Sequence, residues 1–262
     1  MFHVHRPRTL TVRGVVAGVV MAAGLAGCAS SPTTSPSASS SGTPARNPAA
    51  FVEEQPYAQD INPADFADPK PNPYFPLEPG VLTVFAGGDE RVEVTVTHET
   101  KVILGVTATV ITDQVFVDGA LAEDTIDWYA TDNAGNVWYF GEQTAEYENG
   151  EITTTAGSWE AGVAGALPGI IMLADPQIGD TYRQEFYAGE AEDLAEVYAL
   201  GETVNVPYGS YQDVLVTEDW TPLEPEVHER KWYAPDIGVV FEEIVRGGSG
   251  TLSLVELRQV DS

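Results

Sequence analysis

The chain has almost no cysteine and very little positive charge. One cysteine, Cys28, stands among 262 residues, and 12 Lys+Arg face 40 Asp+Glu. A lone thiol excludes an internal disulfide, so an apolar core has to hold the fold, and a chain of this length can build one. The shortage of bases excludes nucleic-acid binding as a main role, because a strongly negative surface repels polyanions, as it does anionic lipid headgroups. Histidine is scarce as well. Of His3, His5, His98 and His228, none has metal-ligand spacing, and the two beyond residue 27 read as surface strand residues. No His-Glu-x-x-His, Gly-x-Ser-x-Gly, phosphate loop or dinucleotide fingerprint occurs. The sequence therefore implies no catalytic set, no metal and no cofactor. Beyond Cys28 no apolar run reaches the ~20 residues that a membrane-spanning helix needs.

What the chain does have begins with a leader. Arg6, Arg8 and Arg13 precede an uncharged stretch, Gly14 to Gly27, that is too short to span a bilayer. It ends in Leu25-Ala26-Gly27-Cys28, the bacterial lipobox pattern in which small residues precede a cysteine that is acylated, palmitate being a typical chain. Residues 1–27 are expected to be a removed signal peptide, with lipidated Cys28 anchoring the protein to the cell membrane and facing outward. Of the 12 bases, Arg6, Arg8 and Arg13 leave with the leader, so the mature charge is 9 − 40 = −31. Residues 28–50 form a Ser/Thr/Pro linker that cannot fold. As a coil, its 22 residues from Ala29 to Ala50 would hold the domain roughly 25 Å from the membrane.

A single β domain is expected over 51–262. It opens with a proline-punctuated arm, 51–80, which Tyr57, Ile61, Phe66, Tyr74 and Phe75 pin to the body, and X-Pro steps keep that arm extended. From Val81 the pattern alternates: Val92, Val94 and Val96 against Glu93, Thr95 and Thr97. Asp118-Gly119 and Asn149-Gly150 are two-residue hairpin turns, which need φ > 0 at both positions. Val137-Trp138-Tyr139-Phe140, apolar on both faces, reads as a strand covered on both sides. Glu190 to Ala199 fits either strand or helix.

Segments recur in order. Phe85-Ala86-Gly87 returns as Tyr187-Ala188-Gly189, and Glu99-Thr100 as Glu202-Thr203. Val110 to Asp113 returns as Leu215 to Glu218, and Trp128-Tyr129-Ala130 as Trp232-Tyr233-Ala234, with offsets of 102, 103, 105 and 104 residues. The expected fold is all-β and mainly antiparallel, a duplicated β-meander (81–155 and 181–262) forming a barrel, half-barrel or sandwich. The connecting loop, 156–180, is long enough to hold a short helix, and it would cross or cap a cleft between the halves.

Candidate chemistry is thin. Asp132-Asn133-Ala134-Gly135-Asn136 offers oxygens and a glycine, yet a calcium loop needs about 12 residues, so turn chemistry explains it better. With no catalytic residue assigned, the first place to look for a ligand is Trp159, Glu160 and Met172 in the connecting loop, beside Trp138 and Phe140. Three roles are open: a binder of a small or lipidic ligand or an envelope partner, a carboxylate-dependent extracellular glycan hydrolase, and a structural envelope protein.

Longer motifs add a resemblance. Asn72-Pro73-Tyr74-Phe75-Pro76-Leu77-x-Pro79-Gly80, Gly135 to Glu142 (GNVWYFGE), Gly157 to Val163 (GSWEAGV), Tyr182-Arg183-Gln184-Glu185 and Gly189 to Asp193 (GEAED) occur in this order. Over about residues 60–257 the chain resembles a family of uncharacterised secreted bacterial proteins. That resemblance implies an exported protein with one folded body and transfers no activity. More loosely, a lipobox before a β-only body resembles envelope lipoproteins whose half-barrel cradles an apolar ligand.

Overall fold

The structure is a computed structural model and describes residues 57–260. The leader, Cys28, the linker and the first residues of the arm lie outside the described residues. A short 3-10 helix at Pro63–Phe66 is followed by fifteen strands. The first half holds β1 (Val81–Gly87), β2 (Glu90–Ile103), β3 (Val106–Val117), β4 (Ala120–Thr131), β5 (Val137–Glu148) and β6 (Glu151–Thr154). β7 (Trp159–Glu160), β8 (Leu167–Met172), β9 (Thr181–Arg183) and β10 (Glu185–Phe186) lie between the halves. β11 (Leu194–Val206), β12 (Gly209–Trp220), β13 (His228–Ala234), β14 (Gly238–Arg246) and β15 (Thr251–Gln259) complete the chain. Among the described residues there is no α-helix, so the connection 156–180 carries β7 and β8 instead, and the ambiguous Glu190–Ala199 region enters a strand at Leu194.

All fifteen strands belong to one open antiparallel sheet, with the order β10-β8-β5-β4-β3-β2-β1-β15-β14-β13-β12-β11-β9 and with β6 and β7 also on β5. It is neither a closed barrel nor a two-sheet sandwich. The first and last strands meet at its centre, where Val81 pairs with Gln259. Two hairpin ladders, β1–β5 and β11–β15, spread outward from that pair. Three of the four recurring segment pairs fall on strands, β2 and β11, β3 and β12, β4 and β13, at different distances from the central pair.

The sheet curls. β11 packs against β14 and β15, which are not its hydrogen-bonded neighbours. At the tip of the β11–β12 hairpin, the Tyr208 amide donates to Leu254 O at 3.1 Å. The curl also brings the two ends of the strand order together, since β9 and β10 are separated in the chain by Gln184 alone.

Local chemistry explains the turns. Asp118 and Gly119 take φ of 51° and 79°, and Asn149 and Gly150 take 54° and 81°, the left-handed pair that such hairpins need. Gly141 marks a bulge. Between the pairs Asp127↔Glu142 and Tyr129↔Tyr139, β4 advances two residues and β5 three, and Gly141 sits there at φ 134°. A Cβ at Gly141 would lie 2.3 Å from Trp159 O, so glycine lets β7 close onto β5.

Candidate functional site

The arm crosses one end of the curled sheet and is fastened at both sides. Asn72 is buried and fully used. Its Nδ2 donates to Gly135 O at 2.8 Å and to Leu173 O at 3.0 Å, and its Oδ1 accepts from the Tyr74 amide at 2.9 Å. Across the opening, the Asp236 amide donates to Pro73 O at 2.7 Å. The arm thus ties the β4–β5 turn of one ladder to the β13–β14 turn of the other.

The β4–β5 turn is rigid for a reason visible in one side chain. Asp132 Oδ1 accepts from the amides of Ala134, Gly135 and Asn136, while Oδ2 accepts from Asn136 Nδ2 and Trp138 Nε1, all at 2.8–2.9 Å. Burial alone would raise its pKa, but these donors outweigh burial and hold the carboxyl below its ordinary range. The turn reading of this segment stands.

Phe75 lies under the arm, buried, with its ring 5.2 Å from that of Tyr129. It separates two spaces. On one side is an open cavity of about 460 Å³, walled by Phe66, Pro69, Pro71 and Leu77 of the arm and by Thr107, Thr109 and Thr131 of β3 and β4. On the other is an apolar pocket of about 60 Å³ on the concave face, lined by Phe85, Val94, Val96 and Ile111 with Ile237 and Val239 from the far ladder. Phe75 and Pro76 line both.

The sequence-chosen residues lie elsewhere, and none of the five lines either space. Phe140, Met172 and Trp159 are core residues. Phe66 sets edge-on against Trp138 at 6.2 Å and Phe140 at 5.7 Å. Glu160 pairs with Lys101 at 2.8 Å, and that ammonium also sits 3.2 Å over the Trp128 ring. The connecting segment 156–180, expected to cap the cleft, instead widens the sheet at β5, and the arm does the capping.

Trp159 leads to a set of buried acids on the concave face that the sequence left unassigned; Glu142 among them is, with Glu160 and Asp180, a carboxylate considered for the hydrolase alternative. Glu123, Thr125 and Asp127 alternate along β4 and face Glu146, Thr144 and Glu142 across the ladder. Tyr139 donates its hydroxyl to Asp127 at 2.7 Å, Thr125 donates to Thr144 at 2.8 Å, and Trp159 Nε1 donates to Glu185 at 2.8 Å. Burial pushes Glu123 up to about 7. Burial, then the neighbouring Glu185, Asp127 and Glu123 carboxylates, raise Glu142 well above its ordinary range. Burial and Asp193 do the same to Glu185. In the second ladder Glu242 is raised by burial and then Glu229. Beside it, Lys231 contacts Asp219 at 3.3 Å and Glu229 at 3.7 Å. These carboxyls line neither of the two spaces. Among the described residues no cluster of His, Cys, Asp and Glu is arranged to hold a metal ion.

No family model matches the chain, and no curated protein does. Solved structures give weak likenesses. An exported-protein candidate from Bacteroides fragilis, described as having a YmcC-like fold, aligns at 17% identity over 74% of this chain and 100% of its own, with a TM-score of 0.42. A lipoprotein candidate from Parabacteroides distasonis aligns at 13% identity over 72% and 100%, also with a TM-score of 0.42. A hypothetical protein from Chlamydia trachomatis aligns at 8% over 71% and 89%, with a TM-score of 0.28. Scores this low carry no argument, and the site rests on its own geometry.

Proposed function

We propose that this is a lipid-anchored, extracytoplasmic binding protein that takes a small apolar or amphipathic ligand beneath its arm. The observation that carries the reading is the pair of spaces divided by Phe75, one open and half-polar, the other apolar and on the concave face. About 460 Å³ falls within the roughly 300–1,000 Å³ of small-ligand sites. Aromatic and proline rings on one wall and a row of threonines on the other suit a molecule with an apolar body and a few hydroxyl or carbonyl groups. Lys70 and Glu78 at the lining place one charge of each sign within reach of its polar end. The leader and lipobox support the outward-facing, membrane-anchored location. Among the described residues no helix is long and apolar enough to cross a membrane.

Fractionation followed by native mass spectrometry tests both parts. The full chain is expected in the membrane fraction and its Cys28→Ser variant outside it. The detergent-purified full chain, incubated with lipid extract from the cell envelope, is expected to carry a one-to-one adduct. Thr109→Trp fills the open cavity from its threonine wall and should weaken that adduct at least tenfold. A wild-type chain that stays bare, or an adduct indifferent to Thr109→Trp, overturns the ligand reading. Cys28→Ser remaining with the membrane overturns the anchor.

A further inference from the structure

The two ends of the sheet meet along residues 181–186. β9 pairs with β11 (Leu194↔Arg183) and β10 pairs with β8 (Glu185↔Pro168), so one short stretch touches both ladders. Gln184, buried between the two strands, donates its amide to Asp193 O at 2.8 Å and reaches Asp219 Oδ2 from Nε2 at 3.4 Å. Glu185 accepts from Trp159 Nε1 at 2.8 Å, and Trp159 pairs with Glu142 across β7 and β5. Glu142 and Glu185 are both buried at this seam, and Tyr139 bonds Asp127 beside them.

The charged and titratable groups facing it come from every element around it. β5 supplies Glu142 and Tyr139, and β4 supplies Asp127, Tyr129 and Glu123. Asp193 comes from the turn before β11. None is a base. Arg183, the nearest on the strand, is turned to Glu192 at 4.0 Å and to the Phe186 ring at 4.7 Å. Lys101 and Lys231 are engaged by Glu160 and by Asp219 with Glu229. Two adjacent buried carboxylates without a counter-ion repel each other and lack solvation, whereas their neutral acids accept and donate hydrogen bonds at little cost.

We propose that residues 181–186 form a proton-dependent latch on the curled sheet: the seam stays shut while Glu142 and Glu185 carry their protons and parts when both are ionised. Parting separates β10 from β7 and β8, frees the Trp159 indole and admits water to the concave face at Asp127 and Tyr139. The latch is independent of the ligand reading, since its residues line neither space under the arm.

Hydrogen exchange on the full chain in detergent, expressed as protection relative to the intrinsic rate at each pH, reads the latch directly. Between pH 5.5 and 8.5, protection over residues 156–194 should fall at least tenfold while β2 and β3 keep theirs. Glu185→Gln retains an acceptor for the Trp159 indole and cannot ionise, and Glu142→Gln removes the opposing charge. Each should keep the seam protected at pH 8.5. Constant wild-type protection, a loss spread evenly over the sheet, or Gln variants that open like wild type would overturn the proposal. If neither variant folds, the wild-type pattern decides alone: loss confined to 156–194 supports the latch and any other pattern overturns it.

Discussion

At the residue scale, Asp132 shows how a segment rich in oxygens becomes architecture. Five donors converge on one carboxylate, and hydrogen bonds to charged acceptors contribute about 1.5–3 kcal/mol each, less than additively. Asp132→Ala is expected to lower stability by about 3 kcal/mol in denaturant titration; a loss within experimental error would show that water replaces the carboxylate freely. The sign of the pH effect follows from the lowered pKa. Asp132 stabilises above its unfolded value of 3.8, and its contribution disappears as pH falls through its lower folded value. This turn was legible because Asp, Asn and Gly carry their backbone preferences locally. Leu104-Gly105 takes the left-handed pair seen at Asp118-Gly119 and Asn149-Gly150, with φ of 50° and 82°, and was not legible, since leucine is no turn former. Its side chain lies over Gly162, where a Cβ would meet Leu104 Cδ2 at 2.5 Å, a tertiary reason absent from the local sequence.

Among the elements, β5 and its partners show what alternation alone misses. Period two separates the faces of a strand but does not say which face another part of the chain will cover. Asp127, Glu142 and Glu185 are buried, and nothing in their local sequence sets them apart from the exposed acids. Their number among 40 acids hid them further. The connecting segment misled in the opposite direction. Its glycines and prolines suggested a lid, whereas Gly141 on β5 lets β7 dock tightly enough to become sheet. Gly141→Ala puts a methyl group against Trp159 O in a backbone region that alanine avoids. We expect a loss of about 3 kcal/mol together with increased exposure of Trp159 to acrylamide. A variant with unchanged stability would mean that β7 is loosely held. The arm's anchoring aromatics were readable, but its role as a roof depends on meeting the β13–β14 turn, a contact between distant parts of the chain.

On the scale of the whole molecule, the buried acids set the direction of pH dependence. A group whose folded pKa is raised contributes fully below its unfolded value and loses that contribution as pH climbs to the folded one. For Glu123 the window runs from 4.5 to about 7, equivalent to about 3 kcal/mol, and Glu142, Glu185 and Glu242 act with the same sign. The thermal midpoint should therefore be highest near pH 5 and fall through pH 7–8, a decline that Glu123→Gln makes shallower. A midpoint rising from pH 5 to 8 in scanning calorimetry would refute this. All-β architecture was legible from strand alternation and turn dipeptides, but the openness and curl of the sheet were not, because they follow from which edges meet.

The central pairing of β1 with β15 bears on how the chain comes to fold. Each ladder consists of hairpins that zip locally, yet the strand joining them must wait for the last residues to arrive. In a chain made N-terminus first, β1 keeps a bare edge until β15 has been made. Closure over so long a loop is slow relative to hairpin formation, so the late arrival of β15 sets the moment at which the molecule becomes one cooperative body.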